Sequence, residues 1–317
     1  MIYQRMSFRH AMVAVLLLVS GTQVRAAERL KPFELASTTT GDMASVVAKV
    51  KQQLSASGFT VLGSYAPYTK ATFAQGEVVS AEVIGVTNAA LQKAAAATPS
   101  GGYAAVQRVS VTAVTRQGTT QIQVAYTNPA YMANAYRLGS DLADVTTALG
   151  EALGTQQAFG SAKGLTASNL RDYHYKMFMP YFTDADLLAT FDSHQQAVSA
   201  VQAGLAAHKG GTSEVYQLAL PGTEETVFGV ALSGPAANAC SGDQYVMSRI
   251  DFQPIKSTGH LPYEVLVVGN KVYALAAKFR IAINFPDLSM MGAHSFVSIM
   301  CAPGSIHKAL KAATAGR

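Results

Sequence analysis

Three landmarks recur along this chain in the same order and at nearly the same spacing. From Asp42 to His194 the offset is 152 residues, from Gly85 to Gly229 it is 144, and from Asn128 to Asn284 it is 156. Each run opens with a helical pattern, continues through an apolar strand with a glycine at its centre, and closes with a hairpin. A period of about 150 residues is domain-sized, so the chain is expected to hold two related domains, with two unrelated α+β modules that share common strand patterns as the alternative. In the first run Asp42 is a candidate N-cap, with Met43, Val46, Val47, Val50 and Leu54 on one helical face. Gly58 ends that helix and Phe59 to Leu62 begins a strand. Val83-Ile-Gly-Val86 follows, then an Ala-rich loop over Leu91 to Ala97. Next comes a hairpin of Val109 to Val114 and Gln121 to Tyr126 turning at Gln117-Gly118. Ile122, Val124 and Tyr126 alternate with Gln121, Gln123 and Ala125, as in a sheet with one buried face.

The second run repeats this order. It has a helix from His194 to about Ala207, a strand from Val215 to Leu220, and Val227-Phe-Gly-Val230. Its hairpin is Tyr263 to Val268, turning at Gly269-Asn270 into a strand Lys271 to Ile283, and a last helix spans about Pro303 to Ala313. The fold class expected is α+β: two related domains, each an antiparallel sheet packed with helices. The boundaries are a signal peptide at 1–26, a first repeat domain at 27–140, a helical and aromatic/Met-rich linker at 141–189, and a second repeat domain at 190–317.

Arg5 and Arg9 followed by the apolar run Ala11 to Val19 and by Val24-Arg25-Ala26 form the pattern of a secretory signal cleaved near Ala26. A periplasmic or secreted location is therefore expected. The run is too short for a membrane span, which needs about 20 apolar residues, and no later stretch is long enough. Cleavage removes three arginines and no acid, leaving 21 basic against 19 acidic residues and a net charge of +2. Without a dense Lys/Arg run, nucleic acid is excluded as a partner. Export permits a disulfide between Cys240 and Cys301; two buried free thiols are the alternative.

A helix ending in Gly58-Phe59-Thr60-Val61, the strand Val83 to Asn88, and the hairpin exit Tyr126-Thr127-Asn128-Pro129 resemble the domain-of-unknown-function 302 family. His260-Leu261-Pro262-Tyr263-Glu264-Val265 is similar to the entry of the same hairpin in the second half. The resemblance covers roughly residues 33–135 and, more weakly, 190–312, so the family would be present as two tandem divergent copies. It departs from the family pattern at Asn88-Ala89, where the family usually has proline, and where Phe285 splits the second Asn-Pro. The resemblance implies an α+β fold with antiparallel sheets. It implies no chemistry, because the family has no assigned general activity.

The functional residues expected lie mostly between the halves. In Arg171 to Phe182, seven of twelve residues are aromatic or Met, a density that must be buried or used. Tyr173, His174, Tyr175, Met177, Met179 and Tyr181 are candidate ligand contacts, with Asn128 and Asn284 framing equivalent edges in the two halves; packing between the domains and ordinary turn chemistry are the alternatives. Met290, Met291 and His294, near Met300, Cys301 and His307, offer a thioether and imidazole set suited to copper, although Met300 and Cys301 read as core. No Gly-x-Ser-x-Gly, Gly-x-Gly-x-x-Gly or phosphate loop occurs, so no catalytic residue and no cofactor is assigned. The sequence favours an accessory or binding role over an enzyme, with a small apolar or aromatic ligand between the domains. A periplasmic copper-binding protein and a structural module for an envelope protein partner are the alternatives.

Overall fold

The computed structural model describes residues 27–73 and 76–315; the expected signal peptide lies outside them. The chain enters through β1 (Phe33–Thr39), α1 (Met43–Ala56), β2 (Thr60–Thr72), β3 (Val78–Thr87), α2 (Ala89–Ala96), β4 (Gln107–Arg116), β5 (Thr119–Thr127), α3 (Pro129–Ala135), α4 (Ala143–Leu153) and β6 (Gln157–Phe159). After α5 (Ala167–Arg171) come β7 (Asp186–Thr190), α6 (His194–Ala206), β8 (Thr212–Ala219), β9 (Glu225–Leu232), α7 (Asp243–Ile250), β10 (Tyr263–Val268), β11 (Lys271–Ala274), α8 (Ala277–Asn284) and α9 (Ala302–Thr314).

Two antiparallel sheets result, ordered β2-β3-β4-β5-β1-β6 and β7-β11-β10-β9-β8. Apart from β6, strand order matches position for position. Helices α1 and α4 pack on the first sheet, α6 and α9 on the second. The connecting segment is shorter than the composition suggested. Helix α4 packs on α1, β6 pairs with β1, and the second sheet already starts at Asp186.

Local chemistry sets the element ends. Asp42 accepts from the Ser45 amide at 2.8 Å and opens α1. Gly58, at φ +81°, closes it, with the Phe59 amide donating to the Leu54 carbonyl and that of Gly58 to Ser55; this is the left-handed helix stop that glycine adopts without strain. Two segments differ from the sequence expectation. The Ala-rich stretch is helix α2, capped by Asn88, as alanine's high helix propensity favours. The strand expected over Lys271 to Ile283 stops at Ala274 and the chain turns into α8.

The remaining faces of the two sheets meet each other. On β4, Val109 and Val111 point toward the helices, while Arg108 and Thr112 point at the second unit and bond it directly. The alternation of Ile122, Val124 and Tyr126 with polar partners does not mark a solvent face. Gln123 is buried because its amide donates to the Pro254 carbonyl at 2.9 Å and its oxygen accepts from the Lys256 amide at 2.9 Å.

Candidate functional site

The central glycines of the two apolar strands meet at this junction. Gly85 is the ladder partner of Arg108, and Gly229 that of Glu264. A Cβ on either glycine would lie 2.6 Å or less from a carbon of the Tyr216 ring. Both glycines thus make room for one buried tyrosine, whose hydroxyl donates to Glu264 Oε1 at 3.2 Å. Arg108 Nη1 donates to the same oxygen at 2.8 Å, and Arg280 Nε stands 3.4 Å from Oε2. Arg108 Nε donates to the Gly259 carbonyl at 2.9 Å and Arg280 Nη2 to that of His260 at 2.7 Å. All three charged side chains are at most 2% exposed. Burial, reinforced by the two guanidinium groups, holds the His260 imidazole well below its usual pKa, so it stays neutral. The opposed charges offset one another in the interior, although Glu264 Oε2 and Arg280 Nε are in ionic contact without a hydrogen bond, and such a buried pairing of side chains reads as architecture rather than as a site.

Further contacts tie the units together. The Tyr65 hydroxyl on β2 and the Leu232 amide donate to Asp243 Oδ2 at 2.9 and 3.1 Å; burial pushes that carboxyl up to about 7. Glu225 accepts the Ser100 and Gly102 amides at 2.9 and 3.0 Å. The strap from Ile250 to His260 lies across the first sheet. Lys256 Nζ is 2.6 Å from Glu77 Oε2. Burial acts to raise the Glu77 carboxyl, but Lys256 and Arg116 outweigh it and hold it below its usual value.

Where this strap leaves the sheet a cavity of about 410 Å³ remains. Its walls are Phe159 from β6, Phe252, Pro254 and Ile255 from the strap, and Phe285 and Leu288 beyond α8; Lys31 and Asp287 stand among the lining polar groups. An apolar concavity with a few polar groups between two units is the usual form of a small-ligand site. A wider cleft of about 990 Å³ adjoins it, sharing Ser161, Ala162, Asp287 and Leu288 and lined further by Arg29, Tyr173, His174, Tyr175 and Met290.

The residues singled out from the sequence divide between cleft, interior and solvent. Tyr173 is buried, its hydroxyl donating to the Ala282 carbonyl at 2.9 Å. His174 stacks on Tyr181 at 4.3 Å and donates through Nε2 to the Met179 carbonyl at 2.8 Å. The Tyr175 ring packs at a tilt against Phe296, centroids 5.0 Å apart, and its hydroxyl donates to the Leu288 carbonyl. Met179 is partly buried against the core, whereas Met177 is 76% exposed. Asn128 and Asn284 are not equivalent. Asn128 caps α3, accepting from the Tyr131 amide, whereas Asn284 is the last residue of α8 and donates to the Arg280 carbonyl. The mismatch follows from α8 occupying the stretch read as strand.

Met290 and Met291 face solvent, and the His294 ring lies on Phe252 at 4.8 Å with Nδ1 donating to the Arg249 carbonyl at 2.8 Å. Met300 is 77% exposed rather than core. Cys240 and Cys301 are joined in a disulfide with Cα atoms 5.9 Å apart. Among the described residues no three His, Cys, Asp or Glu side chains converge as a metal cluster. No helix among them is long and apolar enough to cross a membrane.

The cavity walls at Phe159, Phe252, Ile255 and Phe285 went unnoticed in the sequence. Phe252, Ile255 and Phe285 lie in connections and Phe159 ends the three-residue strand β6, so no periodic pattern marks them, and only the fold brings them together. No curated protein and no solved structure gives a significant match to the chain. Residues 34–155, the stretch from β1 through α4, match the family model described as Domain of unknown function DUF302, which supports that family for the first unit.

Proposed function

We propose that this is an exported binding or accessory protein that holds a small apolar or aromatic molecule between its two units. In this reading the second unit is a divergent copy of the first, a view supported by the matched strand order and by Gly85 and Gly229 at corresponding ladder positions. The observation that carries the binding role is the cavity of about 410 Å³ walled by Phe159, Phe252, Ile255, Phe285 and Leu288. That volume lies within the range of small-molecule sites, and apolar walls there favour a ligand with little charge.

The test uses an uncharged apolar fluorophore, N-phenyl-1-naphthylamine, with the exported protein. Saturable binding of one probe per chain is expected. Ala158, which lines the cavity, is the position to fill: Ala158→Phe should abolish binding while the melting temperature stays close to that of the parent. Undiminished binding in a folded Ala158→Phe variant would sink the proposal, as would the absence of any saturable binding. Tyr175→Ala separates the cavity from the adjoining cleft, because Tyr175 lines only the cleft.

A further inference from the structure

The cavity and the wider cleft share Ser161, Ala162, Asp287 and Leu288, so they meet along a border between the loop after β6 and the segment after α8. Their characters differ. The cavity is walled chiefly by aromatic and aliphatic side chains, whereas the cleft carries Arg29, Lys163 and Lys176 among its lining groups.

The segment that leads into β1 crosses from one space to the other. Leu30 is pinned to Leu165 by two hydrogen bonds, amide to carbonyl in both directions at 2.8 Å. The two neighbours of an extended residue project to the same side of the chain, and here both are basic. Arg29 lines the cleft and Lys31 lines the cavity. The pinned Leu30 therefore presents two cations where the spaces meet.

These cations are not consumed within the fold. Arg29 Nη1 donates to the Gly164 carbonyl at 2.9 Å. Among the described residues neither Arg29 nor Lys31 forms an ion pair, and the Lys31 ammonium has no hydrogen-bond partner. The acids around them are already engaged. Asp287 accepts from the Ala162 amide and the Ser161 hydroxyl. Asp251, buried in the cavity wall, accepts from the Ser257 amide through both oxygens, and burial pushes its carboxyl up to about 7. Asp172, in the cleft, stands 3.9 Å from Arg137. Glu34 accepts from Asn128 Nδ2 at 3.2 Å, and burial raises its carboxyl against the opposing pull of Lys31.

We propose that the molecule held in the cavity is an amphipathic carboxylic acid, its apolar body among the aromatic walls and its carboxylate met at the border by Lys31 and Arg29. This rests on the binding role proposed above and adds one charge to that ligand, at the rim and not in the apolar interior. A carboxylate there gains charge-assisted hydrogen bonds from two donors that have no acid of their own. Lys31 selects the head group, while Arg29 also holds Gly164 and so shapes the border.

Decanoate, decan-1-ol and decylamine share one chain and differ only in the head. Each is titrated calorimetrically into the exported, processed protein near neutral pH, and each is used to displace N-phenyl-1-naphthylamine. Decanoate should bind at least about tenfold more tightly than the alcohol, as a hydrogen bond to a charged group provides, and more tightly than the amine. Rising salt should narrow the difference. Lys31→Met keeps the apolar stem and removes the charge. It should lower the ratio of acid to alcohol affinity at least about fivefold, with the melting temperature close to that of the parent. Ala158→Phe should exclude decanoate as it excludes the naphthylamine. Equal affinities for acid and alcohol in the parent would overturn this inference and leave the cavity as a site for uncharged molecules. An acid preference that survives in Lys31→Met overturns it too, as does undiminished decanoate binding in a folded Ala158→Phe variant, because the head is then recognised elsewhere. If neither decanoate nor the naphthylamine binds, this inference falls together with the binding role.

Discussion

Glu264 illustrates how much rests on single side chains at the junction of the sheets. It faces two arginines and a tyrosine hydroxyl in the interior. Removing its charge leaves Arg108 and Arg280 buried without a counter-ion, so Glu264→Gln should destabilise the fold by about 3–5 kcal/mol. Urea unfolding measures this, and a loss under about 1 kcal/mol would contradict the account. Asp243 gives a pH signature. Folded, it keeps its proton up to about pH 7, while an unfolded aspartate releases it near pH 4. The folded state is therefore favoured most below the lower value, and the advantage fades as pH rises toward 7. His260 acts oppositely: below about pH 6.5 the unfolded imidazole takes a proton that the folded one refuses. Asp243→Asn isolates the first effect. Its stability relative to the parent should grow between about pH 5 and about pH 8, and a pH-independent difference would rule out a buried protonated carboxyl. None of this was legible beforehand. Arg108, Glu264 and Asp243 are unremarkable charges in the sequence, and only the meeting of the two sheets buries them.

At the scale of elements, what the sequence revealed depended on whether an element has a polar face. Helix α1 has one, and its cap, apolar stripe and glycine stop were all readable. Helix α8 has almost none: Ala277, Phe279, Arg280, Ile281, Ala282, Ile283 and Asn284 are buried and Lys278 alone is exposed. With so little solvent side the 3.6-residue rhythm vanishes, and Phe279, Ile281 and Ile283 alternate like a strand. The glycines of β3 and β9 were visible as a repeated pattern, but their purpose needed Tyr216, which lies on a different strand. The disulfide is the element-scale constraint most open to experiment. It ties the turn before α7 to the start of α9 across 61 residues, and closing a loop of that length stabilises by roughly 4 kcal/mol in the chain-entropy view. A Cys240→Ser, Cys301→Ser double variant should melt at least about 5 °C lower while keeping its far-ultraviolet circular dichroism at room temperature. An unchanged melting temperature would mean that packing of α9 alone holds this region.

At the scale of the whole molecule, the tandem arrangement looks like two domains on a string in the sequence, yet the junction is built as an interior. Buried charges pair across it, as in Arg108 with Glu264 and Lys256 with Glu77, and the Tyr65 hydroxyl reaches Asp243, beside pairs within one half such as Arg280 with Glu264 and Arg116 with Glu77. Each half alone would present unpaired charges and an uncovered sheet face, so neither is expected to be stable by itself. A chain of this length would ordinarily permit two independent transitions. Here one is expected: urea unfolding followed by far-ultraviolet circular dichroism, by tyrosine fluorescence and by protease resistance should give coincident curves. Two resolved transitions would show that the halves are autonomous and that the buried pairs contribute little. The same test bears on the cavity, whose walls come from β6, the strap and the segment after α8. A single transition means that these walls assemble together, so a ligand held there would raise the midpoint for the whole molecule and not for one half.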